Sequence, residues 1–368
     1  MITQRTIIDE LEEAIANKDI GQRADTLRRV TDLFVSGSAG FSDEQVALFD
    51  NVMGLLSSEI ETSARASFGH RLAALPNAPP GIIRALAIDD VIEVAGPILA
   101  QSDRLDDATL IEGASTKSQD HLLAISRRKS LAAAVTDVLV ERGDRRVAQS
   151  TAANPGARFS EFGYSTLVKR SEDDAELALR VWSRSEIPRQ HLLKLFADVS
   201  EIVRHKLEAS DRRRASMLRD MVAHASNQIQ TESRECSADY AAARSYVQSL
   251  FDQGQLTMTL LETFADEGRF DETTVALSLL CDLSIGLVER ALTQDQPEQI
   301  LVLAKAIELS WDTTNALLLM RATTRGSSAH ELDQCVAQFT KLKPDTAKKA
   351  LQFYRLRERA ATSRAGSN

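Results

Sequence analysis

The chain has 368 residues, of which 43% are hydrophobic and only 5% aromatic, and its formal net charge is −9. Few aromatic residues and many aliphatic ones are typical of packed helices, so the composition predicts an all-α protein. An acidic chain of this size disfavours nucleic acid and anionic membranes as partners. No run approaches the ~18–20 apolar residues of a membrane span and no leader-like segment opens the chain, so we expect a cytoplasmic protein without a transmembrane segment.

Residues 1–78 are predicted to form an N-terminal helical segment. Three helices fit the apolar pattern between residues 4 and 75. Ser42 and Gln45 form a capping box, which predicts the start of the third helix. The Pro-rich stretch at 76–81 predicts a boundary because it cannot continue a helix.

Residues 79–208 are predicted to form an α-solenoid of HEAT-like or armadillo-like helical repeats. Three apolar segments can be superimposed on one another: 91–100, 131–140 and 175–182. Their offsets of about 40 and about 44 residues fall within the range of two- or three-helix repeats. A single repeat of this kind cannot bury its apolar face alone, so the copies are expected to stack.

Residues 209–254 are predicted to form a long-helix connector. Apolar residues at alternating spacings of four and three run from Val203 through Leu207 and Met217 to Met221, with polar interruptions. Such a heptad seam favours pairing with another helix. Self-association of the chain is therefore one expectation.

Residues 255–368 are predicted to form a second helical-repeat region with a basic tail. A ten-residue frame recurs there at 270–279, 283–292, 309–318 and 342–351. Each copy has a large apolar residue first, a small or β-branched residue five positions later and Leu nine positions later. This pattern predicts a short helix that is entered through a tight turn.

One stretch of the central region resembles a known kind of repeat. Residues 142–156 resemble a leucine-rich-repeat variant or a HEAT-like unit, in which a charged turn enters a helix that closes on an Asn-Pro loop. Together with residues 300–312, the larger pattern resembles an uncharacterised bacterial family, domain of unknown function 2336. The resemblance covers most of residues 82–360. It implies a helical-repeat protein without assigned chemistry, and it carries over no functional residue.

The sequence predicts no catalytic, cofactor-binding or metal-binding residue. Cys236, Cys281 and Cys335 lack CxxC spacing, so zinc ligation and a disulfide framework are disfavoured, and Cys281 and Cys335 are predicted to be small buried residues. The six histidines occur singly, and there is neither a nucleophile elbow nor a phosphate-binding loop. Paired carboxylates such as Asp106-Asp107 stand where helices begin, so capping is favoured over acid–base catalysis.

The two tryptophans are the first candidates for partner contacts. Trp182 and Trp311 both lie at predicted repeat junctions. A large amphipathic ring at such a place either fills the seam between repeats or anchors a partner.

The basic C-terminal helix supplies the remaining candidates, which are Lys348, Lys349 and Arg355. From Lys341 onward there are eight basic residues against two acidic ones, a balance of +6, so the preceding 340 residues carry −15. Three interpretations remain open: a solvated helix face, docking on an acidic protein such as a second copy of the chain, and contact with nucleic acid or membrane.

The leading hypothesis is a non-enzymatic scaffold or adaptor that binds another protein along its helical-repeat surface. One alternative is an enzyme or small-ligand binder, in which His121, His191 or His205 converges with carboxylates in the solenoid groove. The other is contact with nucleic acid or membrane through the basic helix. The partner, its pathway and the functional face are not predicted.

Overall fold

The computed structural model describes residues 20–37, 40–58, 60–210, 215–294, 297–322 and 329–365. These ranges contain 21 α-helices and no strand, which confirms the prediction of an all-α protein. The first predicted helix, before residue 18, lies outside them, as do the side chains of Val203, Leu207 and Met217. No helix within the described ranges combines the length and the apolar character needed to cross a bilayer.

The chain divides into two compact units, Met1–Gly163 and Tyr164–Asn368. The four regions predicted from the sequence stay predictions. The helices of the first unit are α1 (Ile20–Gly37), α2 (Asp43–Ser57), α3 (Thr62–Leu72), α4 (Pro80–Ala87), α5 (Ile92–Gln101), α6 (Asp107–Thr116), α7 (Gln119–Ser126), α8 (Ala133–Arg142) and α9 (Arg145–Ala153).

Alternate helices of the first unit pack on one another. The odd-numbered helices make contact in the series α1, α3, α5, α7 and α9, and the even-numbered helices in the series α2, α4, α6 and α8. The even-numbered helices α4, α6 and α8 begin at Pro80, Asp107 and Ala133, which are 27 and 26 residues apart. One continuous apolar core lies among these helices, from Leu27 to Ala157.

Polar residues at the helix ends fix this register. Arg128 donates hydrogen bonds to the carbonyls of Leu99 (2.8 Å) and Ser102 (2.8 Å). The amide of Asn154 in turn donates to the carbonyls of Ser126 (2.9 Å) and Arg128 (2.7 Å). Each of these side chains therefore satisfies carbonyls at the C-terminal end of the preceding odd-numbered helix.

Carboxylates begin two of these helices, and the one at Asp106 was predicted from the sequence. Asp106 accepts the backbone N–H of Thr109 at 2.8 Å before α6, and Asp144 accepts that of Val147 at 2.9 Å before α9. Hydrogen bonds from Thr109 lower the pKa of Asp106, and the hydrogen bond from Val147 lowers the pKa of Asp144. The capping box of Ser42 and Gln45 is also confirmed at the start of α2.

The repeat length of about 42 residues predicted from the sequence is wrong for the first unit. The segments 91–100 and 131–140 correspond to α5 and α8, but α5 contacts α3 and α7 whereas α8 contacts α6. The superposition therefore paired an odd-numbered helix with an even-numbered one. The superposition failed because helices of both series bury aliphatic stripes and therefore look alike in sequence. The interval of 26–27 residues between helix starts depends instead on polar side chains between the helices.

The second unit contains the remaining helices, the first of which spans the boundary. They are α10 (Glu161–Ser171), α11 (Ala175–Trp182), α12 (Arg189–Ser210), α13 (Ala215–Glu235), α14 (Ala238–Asp252), α15 (Met258–Asp266), α16 (Phe270–Cys281), α17 (Ile285–Thr293), α18 (Glu298–Ala306), α19 (Trp311–Ala322), α20 (Ala329–Lys341) and α21 (Pro344–Ala365).

The ten-residue frame marks four of these helices. The copies begin at, or two residues before, α16, α17, α19 and α21, so the helix predicted behind each copy is confirmed. The sixth residue is buried in all four copies: Val275, Val288, Thr314 and Ala347. The packing does not repeat as in the first unit, because α15 contacts α19 and α18 contacts α21 across several intervening helices.

Candidate functional site

Helix α11 presents large apolar side chains to solvent. Asp174 begins the helix by accepting the backbone N–H of Glu176 at 3.2 Å and that of Leu177 at 3.1 Å. The inner face of the helix is buried, with Leu177 1% exposed. On the other face, Leu179 is 70% exposed and Trp182 is 39% exposed. These two residues are three positions apart, so they are neighbours on one side of the helix.

Helix α12 extends this apolar area. The ring centroids of Trp182 and Phe196 are 6.1 Å apart with an angle of 50° between the planes. Val199 lies one turn beyond Phe196 and is also exposed. We call the four side chains of Leu179, Trp182, Phe196 and Val199 the Trp182 surface. Its central ring is held by a neighbouring ring and still faces solvent, which is how an aromatic anchor is presented to a protein partner.

Buried polar groups support the helices below the Trp182 surface. Lys194 pairs with Asp198 at 2.8 Å, and both side chains are largely buried. The His191 ring stacks on Tyr164 with centroids 5.7 Å apart, and burial raises the pKa of Tyr164. The Lys194–Asp198 pair lies within α12, whereas the stacking of His191 on Tyr164 joins α12 to α10.

Trp311 lies in a different environment. Its ring centroid is 5.5 Å from that of Phe339, a buried residue of α20, and the Trp311 side chain is itself half-buried. The ammonium group of Lys305 lies 4.2 Å from the centroid of the Phe339 ring. Of the two roles predicted for the tryptophans, filling a seam between helices fits Trp311 better than anchoring a partner does.

The three basic candidates differ in their contacts. Lys348 pairs with Glu308 at 2.6 Å. Arg355 donates from Nε to the carbonyl of Cys281 at 2.9 Å and thereby satisfies the C-terminal end of α16. Lys349 is exposed and points about 100° away from Lys348, its neighbour on the helix. Two of the three candidates are therefore engaged within the chain.

A buried ion network in the second unit has no counterpart in the predictions. Arg189 contacts the carboxylates of both Asp271 (2.7 Å from Nε) and Glu289, and Glu289 also accepts from Arg234 at 2.6 Å. The guanidinium of Arg189 lies 4.8 Å from the centroid of the Tyr240 ring. The four charged groups come from α12, α13, α16 and α17. The residues of each bonded pair are 55 to 100 positions apart in the sequence.

The network pairs buried charges of different helices in the second unit. Glu289 is 0% exposed, and each of its oxygens accepts from an arginine. Burial opposes the charged form of Arg189, but the charges of Glu289 and Asp271 raise its pKa. Burial raises the pKa of Glu289, and the charges of Arg189 and Arg234 act against this rise. No local signal in the sequence links Asp271 to Arg189.

Two of the three histidine candidates make contacts inside the protein. His121 is buried, with Nδ1 2.7 Å from the Ser118 hydroxyl and Nε2 3.0 Å from the backbone carbonyl of Asp89. His191 packs on Tyr164, and the side chain of His205 lies outside the described residues. Within the described ranges, no three His, Cys, Asp or Glu side chains are grouped to hold a metal ion.

The cysteines follow their predicted roles. Cys281 and Cys335 are buried, and burial raises the pKa of Cys281 to about 12. A thiol with so high a pKa is a poor nucleophile at neutral pH. Cys236 is exposed.

Three comparisons with known proteins bear on this site. A family model described as an uncharacterised protein conserved in bacteria (DUF2336) matches residues 94–352. No curated protein and no solved structure matches the chain. The matched range includes the Trp182 surface and the buried ion network.

Proposed function

The chain belongs to the DUF2336 family, an uncharacterised family conserved in bacteria, and from this premise we propose that it is a non-enzymatic scaffold or adaptor that binds another protein. The docking site in this proposal is the Trp182 surface. The observation that carries it is the exposure of Leu179 (70%) and Trp182 (39%) on one face of α11, beside Phe196. Exposed apolar side chains that form a contiguous group mark interaction sites in soluble proteins.

The architecture in this proposal is an α-solenoid of HEAT-like or armadillo-like repeats in the first unit. Two observations support it: the contacts between alternate helices, and the interval of 26–27 residues between equivalent helix starts. The hydrogen bonds that Arg128 and Asn154 make to the preceding repeat add to this support. Solenoids offer extended surfaces to other proteins, which suits an adaptor.

The alternatives have weaker support. An enzyme with a histidine-based site gains nothing from His121, because its ring nitrogens are bonded to a hydroxyl and to a backbone carbonyl. Contact with nucleic acid or membrane through the basic helix is weakened because Lys348 and Arg355 already bond within the chain.

Affinity capture with matched variants tests the proposal. Wild type, Leu179→Asp, Trp182→Ala and Leu319→Asp serve as baits in extracts of the native bacterium, followed by quantitative mass spectrometry. Leu319 is 43% exposed on α19, so it controls for the loss of an exposed apolar residue elsewhere. We expect one protein to be lost with both variants of the Trp182 surface and retained with Leu319→Asp.

The captured protein is then purified and its affinity measured. Removal of a central aromatic anchor costs about 2 kcal/mol or more, so Trp182→Ala is expected to weaken binding at least about thirtyfold. Circular dichroism of each bait verifies that the helices are intact. A set of captured proteins that is the same for all four baits contradicts the proposed docking site.

A further inference from the structure

The C-terminal helix α21 has two apolar faces. Its inner face packs in the second unit through Ala347 and Leu351, both buried. Its outer face carries Phe353, 62% exposed, and Leu356, 65% exposed. A surface helix normally has one apolar stripe, so the second one calls for a partner.

Basic residues accompany the outer face of α21. Lys349 lies one turn before Phe353, and Arg357 lies one turn after it; both are exposed. We call Lys349, Phe353, Leu356 and Arg357 the α21 stripe. It is apolar in the middle and positively charged at both ends.

Helix α2 in the first unit carries a stripe of the opposite charge. Met53 and Leu56 are buried on its inner face, while Leu48 is 64% exposed and Leu55 is 59% exposed on its outer face. Glu44 lies one turn before Leu48 and is exposed. We call Glu44, Leu48 and Leu55 the α2 stripe. Helix α2 contains three acidic residues and no basic one.

The third acidic residue of α2 has a structural role. Asp50 accepts the backbone N–H groups of Gly81 at 2.7 Å and of Ile82 at 2.6 Å, and so holds the start of α4. Glu44 stands apart from this contact, on the same side of the helix as Leu48. It is therefore available to a positively charged partner.

We propose that the α21 stripe of one copy of the protein docks on the α2 stripe of a second copy. One part of each stripe matches the other in spacing as well as in charge. Glu44 and Leu48 are four residues apart, as are Lys349 and Phe353, and Phe353 and Arg357. If Phe353 packs on Leu48 and the helices run parallel, Glu44 lies beside Lys349. If the helices run antiparallel, Glu44 lies beside Arg357.

A second copy fits this surface better than a lipid bilayer does. The 340 residues that precede Lys341 carry −15, so the body of the protein repels an anionic membrane. A helix that lies in a bilayer also needs a broader apolar face than Phe353 and Leu356 provide. Because the two stripes differ, they can assemble in two ways: two reciprocal contacts close a symmetric dimer, whereas contacts that do not close extend into a chain of molecules.

A complementation experiment tests the contact with full-length protein. Leu48→Asp removes the α2 stripe and Phe353→Asp removes the α21 stripe, both at exposed positions that leave the cores intact. In sedimentation velocity across a concentration series, wild type is expected to self-associate and each variant alone to be monomeric. An equimolar mixture of the two variants is expected to form a 1:1 dimer, because one intact stripe of each kind remains.

Charge reversal then determines the direction of the helices. Glu44→Lys is expected to weaken self-association about tenfold or more, since it opposes like charges at the contact. Adding Lys349→Glu restores association if the helices are parallel, and adding Arg357→Glu restores it if they are antiparallel. Leu319→Asp, at an exposed position outside both stripes, is expected to associate like wild type.

Three results overturn the proposal. One is a wild-type protein that stays monomeric at every concentration. Another is a mixture of Leu48→Asp and Phe353→Asp that stays monomeric while wild type associates. The third is binding of wild type to phosphatidylserine vesicles that Phe353→Asp abolishes without any change in self-association. Because Trp182 lies in neither stripe, failure here leaves the capture experiment with the Trp182 surface unaffected.

Discussion

The two units are built from similar short helices but connect them over different distances along the chain. In the first unit, Arg128 bonds to the carbonyl of Ser102, and Asn154 bonds to that of Arg128; both pairs are 26 residues apart. The residues that follow α7 and α9 thus bond to the end of the preceding odd-numbered helix. These bonds join parts of the chain that are near one another in sequence.

In the second unit, side-chain hydrogen bonds and ion pairs join residues that are much farther apart in the sequence. Arg189 reaches Glu289 across 100 residues, and the amide of Gln190 bonds to the carbonyl of Met320 across 130. Elements far apart in sequence therefore depend on a few central side chains. We infer that damage in the first unit stays local, whereas damage at the ion network affects the whole second unit.

The tryptophans make this difference measurable. The chain has two, Trp182 and Trp311, and both belong to the second unit. Tryptophan fluorescence therefore reports unfolding of the second unit alone, while circular dichroism reports helices in both. Denaturant unfolding followed by both signals separates effects on the two units.

The largest effect is expected from Glu289→Ala. The change leaves Arg189 and Arg234 without their shared carboxylate in a buried site, and a broken buried ion pair costs about 3–5 kcal/mol. The fluorescence transition should move to a clearly lower denaturant concentration. Glu267→Ala is the control, because Glu267 is 55% exposed and its pairing with Arg269 is worth about 1 kcal/mol at most. If both variants unfold like wild type, the network is not the central support of the second unit.

A smaller and local effect is expected from Arg128→Met. The buried carbonyls of Leu99 and Ser102 lose their donor, which should destabilise the first unit by about 2–3 kcal/mol. The transition seen by circular dichroism should shift while the fluorescence transition stays in place. Arg127→Met, at the exposed neighbouring position, is the control. A shift of the fluorescence transition by Arg128→Met would show that a change in the first unit also destabilises the second.

The sequence could predict what depends on residues close together in the chain. Ser42 and Gln45 identified the start of α2, and Asp106 stands as a cap where a carboxylate was expected. The ten-residue frame located four helices correctly because the turn, the buried sixth residue and the final Leu all lie within ten consecutive residues.

The sequence could not predict what depends on distant residues. The register of the first unit is set by side chains such as Arg128, whose carbonyl partners carry no signature. The ion network joins α12, α13, α16 and α17, and no local pattern connects them. Among the candidate contacts, Arg355 has no sequence feature that distinguishes it from an exposed arginine, whereas in the structure it bonds to the carbonyl of Cys281.

The smallest effect concerns a single cap in the first unit and its dependence on pH. Asp144→Ala removes the acceptor for the N–H of Val147 and is expected to cost about 1 kcal/mol at pH 7. That hydrogen bond lowers the pKa of Asp144 in the folded protein. The stabilisation is therefore present above the ordinary carboxyl pKa of about 3.9 and is lost as the pH falls through the lower folded value.

Asp144→Asn separates the cap from its charge. Asparagine caps a helix about as well as aspartate does but does not titrate in this range, so the variant should keep the cap at all pH values. The difference in unfolding free energy between Asp144→Asn and Asp144→Ala should stay constant in acid, while that between wild type and Asp144→Ala should shrink. Both differences should appear in circular dichroism and leave the tryptophan transition unchanged, because a cap on α9 supports neighbouring contacts only. A pH dependence that Asp144→Asn shares with wild type would mean that another carboxylate is responsible for it.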